Sequence, residues 1–199
     1  MKRAILCAVA WWFAAGLSSG ADKRFDAHLV GKTDAQFKRF LNQKKAYIER
    51  LIADHKLKPS QGIPDLIRAV EMDNPSAVAN AHPRAGWPQY ENPGREAANT
   101  NNYPLLPALL EVYGGYEQYK LWEPHFRKTY IDGIVGSIPK GSIYFGGTDA
   151  GRFLITAGCD SHEKWNPFFT ITQNALADQT YLNYLRDIYG KKIRTPSSA

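Results

Sequence analysis

Two short apolar segments decide the fold of this chain: SIYF at residues 142–145 and FFTIT at residues 168–172. Both are rich in aromatic and β-branched residues and end at turn-forming residues, which is typical of short buried strands. A helical pattern from about Ala150 to Cys159 separates them, and Asn174 is predicted to open a further helix that ends near Gly190. Residues 141–190 therefore predict a β-α-β-α unit whose two strands are parallel and joined by a crossover helix.

The chain before this unit has a helical pattern with one long interruption. Amphipathic helices are expected over residues 33–58 and 63–72, and helical character returns around 105–113 and 123–135. Between 74 and 102 the many Pro, Gly and Asn residues break every periodicity. The predicted fold class is α/β, with an α-rich N-terminal part and a small C-terminal Rossmann-like β-α-β-α unit. We divide the chain into a signal peptide (1–21), a helical region with a Pro/Asn/Gly-rich loop (22–102) and an α/β region (103–199).

Two parallel strands are too few for an ordinary parallel sheet, which is buried on both faces and has more members. Several arrangements would resolve this difficulty. Further strands could lie within 74–102, or the flanking helices could cover a minimal sheet. A partner could complete the sheet, either an envelope or membrane protein or a second copy, or the chain could be part of a longer protein.

The N-terminus has the pattern of a secretory signal peptide. Lys2-Arg3 precede an apolar run from Ala4 to Leu17, and small residues lead to Ala21 before the charged Asp22. The run is shorter than the roughly 20 residues that span a bilayer. Removal of this segment takes two basic residues from a formal net charge of +6 and leaves Cys159 as the one cysteine. We therefore expect a periplasmic or secreted protein that is not an integral membrane protein after cleavage, that has no internal disulfide, and that does not bind nucleic acid.

The segment after the first predicted strand carries the most unusual residues, Gly146-Gly147-Thr148-Asp149-Ala150-Gly151-Arg152. A strand end that meets a helix N-terminus suits ligands, because free backbone N–H groups converge there. The segment is neither a P-loop, since Lys-Ser/Thr is replaced by Arg152-Phe153, nor a dinucleotide fingerprint. Asp149 is interpreted either as a helix N-cap or as a contact to a sugar hydroxyl or cation. Arg152 is either a solvated helix residue or a bidentate anion clamp.

The second strand ends in residues of the same kind. Because the C-terminal ends of parallel strands are neighbours, polar groups from both strands should share one rim. Capping of the last helix would explain Asn174 equally well. The residues expected to contact a ligand are Gly146, Gly147, Thr148, Asp149, Arg152, Gln173, Asn174 and Asp178.

Residues 138–153, 172–181 and 186–190 resemble a segment of bacterial envelope proteins. They are similar to the soluble α/β region of large membrane proteins that resemble lipid-linked-sugar glycosyltransferases and often carry tetratricopeptide repeats. In that group, too, a proline-led strand runs into a Gly/Asp/Thr loop. The resemblance covers about residues 138–190 and implies an envelope protein, but it assigns no catalytic residues.

These observations lead to two functional hypotheses. The first is an exported binding or accessory module whose rim meets a polar ligand or a partner. The second is an envelope enzyme, transferase- or hydrolase-like, that acts on glycans or sugar phosphates, with Asp149 as base or metal ligand beside Asp178 and Arg152 as anion clamp. No cofactor is predicted, and one Cys with one His near residues 159–163 is too little for a zinc site.

Export is directly testable. N-terminal sequencing of the protein from its producing cell should begin near Asp22, since Ala21 occupies the position that signal peptidase prefers. An intact Met1 on material from the cytoplasm would contradict the prediction.

Overall fold

The structure is a computed structural model, and it describes residues 23–85, 100–147, 150–164 and 167–195. Helices dominate these residues, and a small parallel sheet lies near the C-terminus. The elements are α1 (Lys23–His55), α2 (Gly62–Glu71), α3 (Pro75–Ala81), α4 (Leu106–Leu121), α5 (Pro124–Ser137), β1 (Ile143–Gly146), α6 (Ala150–Gly158), α7 (Ser161–Lys164), β2 (Phe169–Thr172) and α8 (Gln179–Tyr189).

Most of the predicted helices are present, with shifted ends. Helix α1 begins about ten residues before the predicted start, and α4 continues to Leu121, beyond the predicted end near residue 113. Gly114 and Gly115 would weaken an isolated helix. In the fold, however, a side chain at Gly114 would come within 2.7 Å of the Phe153 ring on α6. The close packing of α4 on α6 therefore requires glycine here and keeps the segment helical.

The region from 74 to 102 contains no strand in its described part. Asn74 caps α3 by accepting from the backbone N–H of Ala77 at 3.0 Å, and a 3-10 turn follows at His82–Ala85. Residues 86–99 lie outside the described part of the chain, and a second 3-10 turn spans Thr100–Leu105. The asparagine and proline that break the longer periodicity act here as helix cap and first helical residue.

The predicted parallel pairing of the two strands is confirmed. Ile143 lies opposite Phe169, and Gly146 lies opposite Thr172. The two strands are unequally covered. All four residues of β2 are buried, whereas Ile143 and Phe145 of β1 are 44% and 53% exposed.

Two tyrosines of α8 take the place of a third strand along β2. The Tyr189 hydroxyl accepts from the backbone N–H of Thr170 at 2.9 Å and lies 3.0 Å from the carbonyl of the same residue. The Tyr181 hydroxyl accepts from the N–H of Thr172 at 2.6 Å. Backbone groups that a neighbouring strand would normally pair are therefore satisfied by side chains. This explains how so small a sheet can be buried on its β2 side.

Two apolar clusters surround these elements. The larger one joins α1, α2, α3, α4, β2 and α8, and includes Ile48, Leu66, Leu109 and Tyr184. The smaller one lies where α5 and α6 meet α1 and α4, and contains Leu154, Ile155 and Phe168. Helix α1 contributes to both clusters, so the helical N-terminal part and the β-α-β-α unit share their packing.

Loss of the Tyr189 hydroxyl should destabilise the protein. Tyr189→Phe keeps the ring but leaves the buried N–H of Thr170 without its partner, which costs about 1–3 kcal/mol, whereas the carbonyl of Thr170 keeps its contact with His162. Tyr103, which is 46% exposed, provides the matched control. We expect Tyr103→Phe to change the free energy of unfolding in urea by less than about 0.5 kcal/mol. Equal effects of the two substitutions would show that the hydroxyl does not hold the edge of β2.

Candidate functional site

The glycines of the predicted rim lie at the end of β1, where they accommodate Arg152. A side chain at Gly146 would come within 2.3 Å of Cγ of Arg152. The carbonyl of Gly147 accepts from Nε of Arg152 at 3.2 Å. Gly146 therefore has a packing reason to be glycine, whether or not a ligand approaches it.

The other rim residues have different surroundings. Thr148 and Asp149 lie outside the described residues, so the two interpretations of Asp149 stay predictions. Gln173 and Asn174 are exposed in a 3-10 turn that follows β2. The carboxylate of Asp178 accepts from the N–H of Thr180 at 2.7 Å and caps α8.

The prediction that Asn174 opens the last helix is wrong. Helix α8 begins at Gln179, and Asp178 is the residue with extended backbone and a capping side chain. Asn and Asp both cap helices well, and Asp178 lies four positions after Asn174 in the same polar segment. With its start at Gln179, α8 places the hydroxyls of Tyr181 and Tyr189 on β2.

The interpretation of Arg152 as a solvated helix residue is also wrong. Arg152 is 1% exposed, and its Nη1 lies 2.8 Å from Oε1 of Glu111 on α4. The guanidinium also lies 4.1 Å from the centre of the Phe153 ring. Glu111 is 41 residues away in sequence, and no local pattern connects the two. An anion-clamp role for Arg152 stays a prediction.

Arg152 belongs to a buried polar cluster centred on Glu111. Oε2 of Glu111 lies 2.6 Å from Nζ of Lys44 on α1 and accepts from the Tyr184 hydroxyl of α8. Nδ1 of His162 on α7 is 3.0 Å from the same oxygen. All five side chains are at most 5% exposed. The cluster therefore connects five helices and is closed to solvent.

Both ring nitrogens of His162 have polar partners. Nε2 lies 3.2 Å from the carbonyl oxygen of Thr170 and 2.7 Å from the hydroxyl oxygen of the same residue. Nδ1 lies 2.6 Å from Nζ of Lys44 and 3.0 Å from Oε2 of Glu111. The imidazole therefore connects the cluster around Glu111 with strand β2.

Burial and the attraction between opposite charges shift the pKa values of these groups in opposite directions. Burial alone would raise the pKa of Glu111, but His162, Lys44 and Arg152 outweigh it and hold this pKa well below its usual value. Burial lowers the pKa of Lys44 and of His162, partly against the attraction of Glu111. Glu111 is thus a buried carboxylate with two cationic partners, and because substrate cannot reach it, its role is structural. Sequence reasoning missed Lys44, Glu111 and the packing of His162, because single charged residues within helical patterns give no signal of burial.

A cleft lies on the surface of the helical part. It has a volume of about 810 Å³ and lies between α1, the C-terminal end of α2 and the junction of α4 and α5. Its walls include aromatic residues, and charged residues lie among them. The lining residues are Phe37, Lys38, Leu41, Asn42, Val70, Glu71, Asp73, Tyr116, Tyr119, Lys120, Leu121, Trp122, Glu123, Pro124 and Arg127.

Contacts within the cleft hold several of these side chains in place. The Tyr116 hydroxyl donates to Oδ1 of Asp73 at 3.1 Å, and Lys120 pairs with the same carboxylate. The Trp122 ring lies 5.2 Å from the ring of Tyr130, centre to centre. Trp122 follows the last residue of α4 and lines the cleft together with residues of α1. No local pattern predicts the cleft, because its residues come from four separate helices and the segments between them.

Among residues 23–85, 100–147, 150–164 and 167–195, no group of His, Cys, Asp and Glu is arranged to hold a metal ion. Within the same ranges, none of the helices combines the length and the apolar character that crossing a membrane requires.

Comparison with protein-family models, curated proteins and solved structures finds no match to this chain. The function must therefore be argued from the geometry and chemistry of the chain itself.

Acid should destabilise the protein through His162. Its pKa is lowered in the folded state, so the unfolded chain binds the proton first as the pH falls below about 6.5. The free energy of unfolding then decreases by up to about 1.4 kcal/mol per pH unit, down to the pKa of the folded state. The main reason is that protonation would place a charge on a buried imidazole, and repulsion from Lys44 adds to this cost.

Urea unfolding between pH 7.5 and pH 5 measures this dependence. His162→Gln should be less stable at neutral pH but show a shallower loss below pH 6.5. His125→Gln, at an exposed position on α5, is the control and should keep the wild-type slope. Parallel curves for the wild type and His162→Gln would contradict the assignment.

Proposed function

We propose that this protein is an exported binding or accessory module without catalytic activity of its own, and that its ligand binds in the cleft between α1, α2 and the α4–α5 junction. The proposal rests on one observation. The cleft is open, and contacts with neighbouring groups hold several of its aromatic and charged side chains in place. Concave sites of about 300–1,000 Å³ with apolar walls and a few placed polar groups are the usual form of a ligand site.

The position of the titratable groups favours binding over catalysis. A general acid or base must reach the proton that it transfers. Lys44, Glu111 and His162 shift one another's pKa values, but they are at most 5% exposed and their polar atoms contact one another. The open cleft and the buried cluster around Glu111 are thus different places in the fold.

The alternative, an envelope enzyme that acts on glycans or sugar phosphates, has weaker support. It needs Asp149, which lies outside the described residues, together with Asp178. The carboxylate of Asp178 is engaged in capping α8. Asp178 is also exposed and does not line the cleft.

Export, fold family and partners belong to the same proposal. The N-terminal pattern of residues 1–21 supports a periplasmic or secreted location. The parallel pairing of β1 and β2 with helices α6 and α7 between them supports a minimal Rossmann-like unit. Because α8 covers β2 while β1 is half-exposed, an envelope protein or a second copy that completes the sheet would be expected to join at β1.

Trp122→Ala should abolish or strongly weaken ligand binding. Trp122 is half-buried in the wall of the cleft, and aromatic anchors carry a large share of binding energy. Phe126→Ala is the matched control, because Phe126 is 62% exposed on α5 and does not line the cleft. A thermal-shift screen of chemically mixed small ligands, followed by titration of the hits, should give shifts that Trp122→Ala removes and Phe126→Ala keeps. Hits that bind both variants equally would contradict the cleft as the site.

A further inference from the structure

The chemistry of the cleft restricts the class of ligand. Aromatic rings such as Trp122 line the cleft together with polar side chains such as Asn42 and Glu123. A ligand that matches such walls has flat apolar faces and many hydroxyl or amide groups around its edge. A purely aliphatic ligand would leave the polar groups of the cleft desolvated without partners, at a cost in free energy.

Charge in the cleft is balanced. Three acidic side chains, from Glu71, Asp73 and Glu123, face three basic ones, from Lys38, Lys120 and Arg127. The balance is also local, because Asp73 pairs with Lys120, and Glu71 lies 2.6 Å from Nζ of Lys45. A strongly anionic or cationic ligand would gain attraction from one set and repulsion from the other. The cleft therefore suits a neutral ligand.

The polar groups are held in fixed positions and keep hydrogen-bonding capacity. A carboxylate offers about four lone-pair sites. Asp73 uses some of them for Tyr116 and Lys120, and Glu71 uses one for Lys45. Side chains fixed in this way lose little entropy when a hydroxyl group binds to them, which favours binding.

We infer that the cleft binds a neutral oligosaccharide. The sugar rings lie with their C–H faces against Trp122, and their hydroxyls meet the carboxylate and amide groups of Asp73, Glu123 and Asn42. A volume of about 810 Å³ accommodates a chain of about two or three sugar rings, a ligand of drug-like size. This inference rests on the proposed function, since it names the ligand of the same cleft.

Titration calorimetry with defined sugars tests the inference. The probes are chitotriose, cellotriose and maltotriose, with glucose as a single-ring control and a hexasulfated trisaccharide as an anionic control. We expect at least one neutral trisaccharide to bind, with glucose and the sulfated sugar at least about tenfold weaker. Preferred binding of the sulfated sugar would overturn the neutral-ligand inference.

Two variants connect binding to the cleft. Asn42 is exposed on α1, and Asn42→Ala should leave the unfolding midpoint unchanged or raise it slightly, since alanine favours helix. The same change should weaken trisaccharide binding roughly 2- to 10-fold through loss of a hydrogen bond. Trp122→Ala should weaken it by at least tenfold, and a circular dichroism spectrum checks that this variant is folded. Unchanged affinity in both variants would overturn the inference.

The outcomes also separate this inference from the proposed function. If no sugar binds but the mixed screen yields another ligand that Trp122→Ala abolishes, the cleft is a binding site and the oligosaccharide assignment is wrong. If neither sugars nor screened ligands depend on Trp122, the cleft itself is not the site, and both statements fail.

Discussion

Glu111 provides the interaction on which the rest of the structure depends. Its two carboxylate oxygens accept from Lys44, Arg152 and Tyr184, which come from α1, α6 and α8. Removing one member of a buried ion pair commonly costs about 3–5 kcal/mol, because the remaining charge is left without compensation. Here one carboxylate compensates two cations, so its position constrains every helix that carries a partner. Through His162 the constraint extends to β2, since the imidazole also contacts Thr170.

The small sheet depends on the same cluster indirectly. Strand β2 is satisfied along its outer edge by hydroxyl groups of α8, and α8 is anchored to Glu111 through Tyr184. A residue spacing of three and then five along α8 presents Tyr181, Tyr184 and Tyr189 to the same side of the core. Helix α8 thereby replaces the strand that a larger parallel sheet would supply. The covered β2 and the half-exposed β1 leave the sheet with one closed side and one open side.

The polar residues that stabilise the core are different from the polar residues that line the cleft. The buried ionic groups stabilise the arrangement of α1, α4 and α6, and the cleft is lined by other residues of α1 and α4. The aromatic residues of the cleft pack partly into the apolar clusters, as Phe37 and Tyr116 do, which fixes their orientation. A site whose walls are held by core packing needs little rearrangement to bind its ligand. This division of roles is the physical basis for proposing a binding module.

The sequence by itself determined the elements whose signal is local. The apolar runs at 142–145 and 168–172 predicted two parallel strands, and the helical periodicity predicted α1, α2 and α5 to within a few residues except at the start of α1. Tertiary structure decided what depends on distant contacts. The burial of Arg152 was not predicted, because its partner Glu111 lies 41 residues away. Helical character was predicted only to about residue 113, because the Phe153 ring that packs against Gly114 comes from a distant part of the sequence. The ionic cluster and the cleft are assembled from side chains on three or more helices, and the burial that gives those side chains their roles exists only in the folded chain.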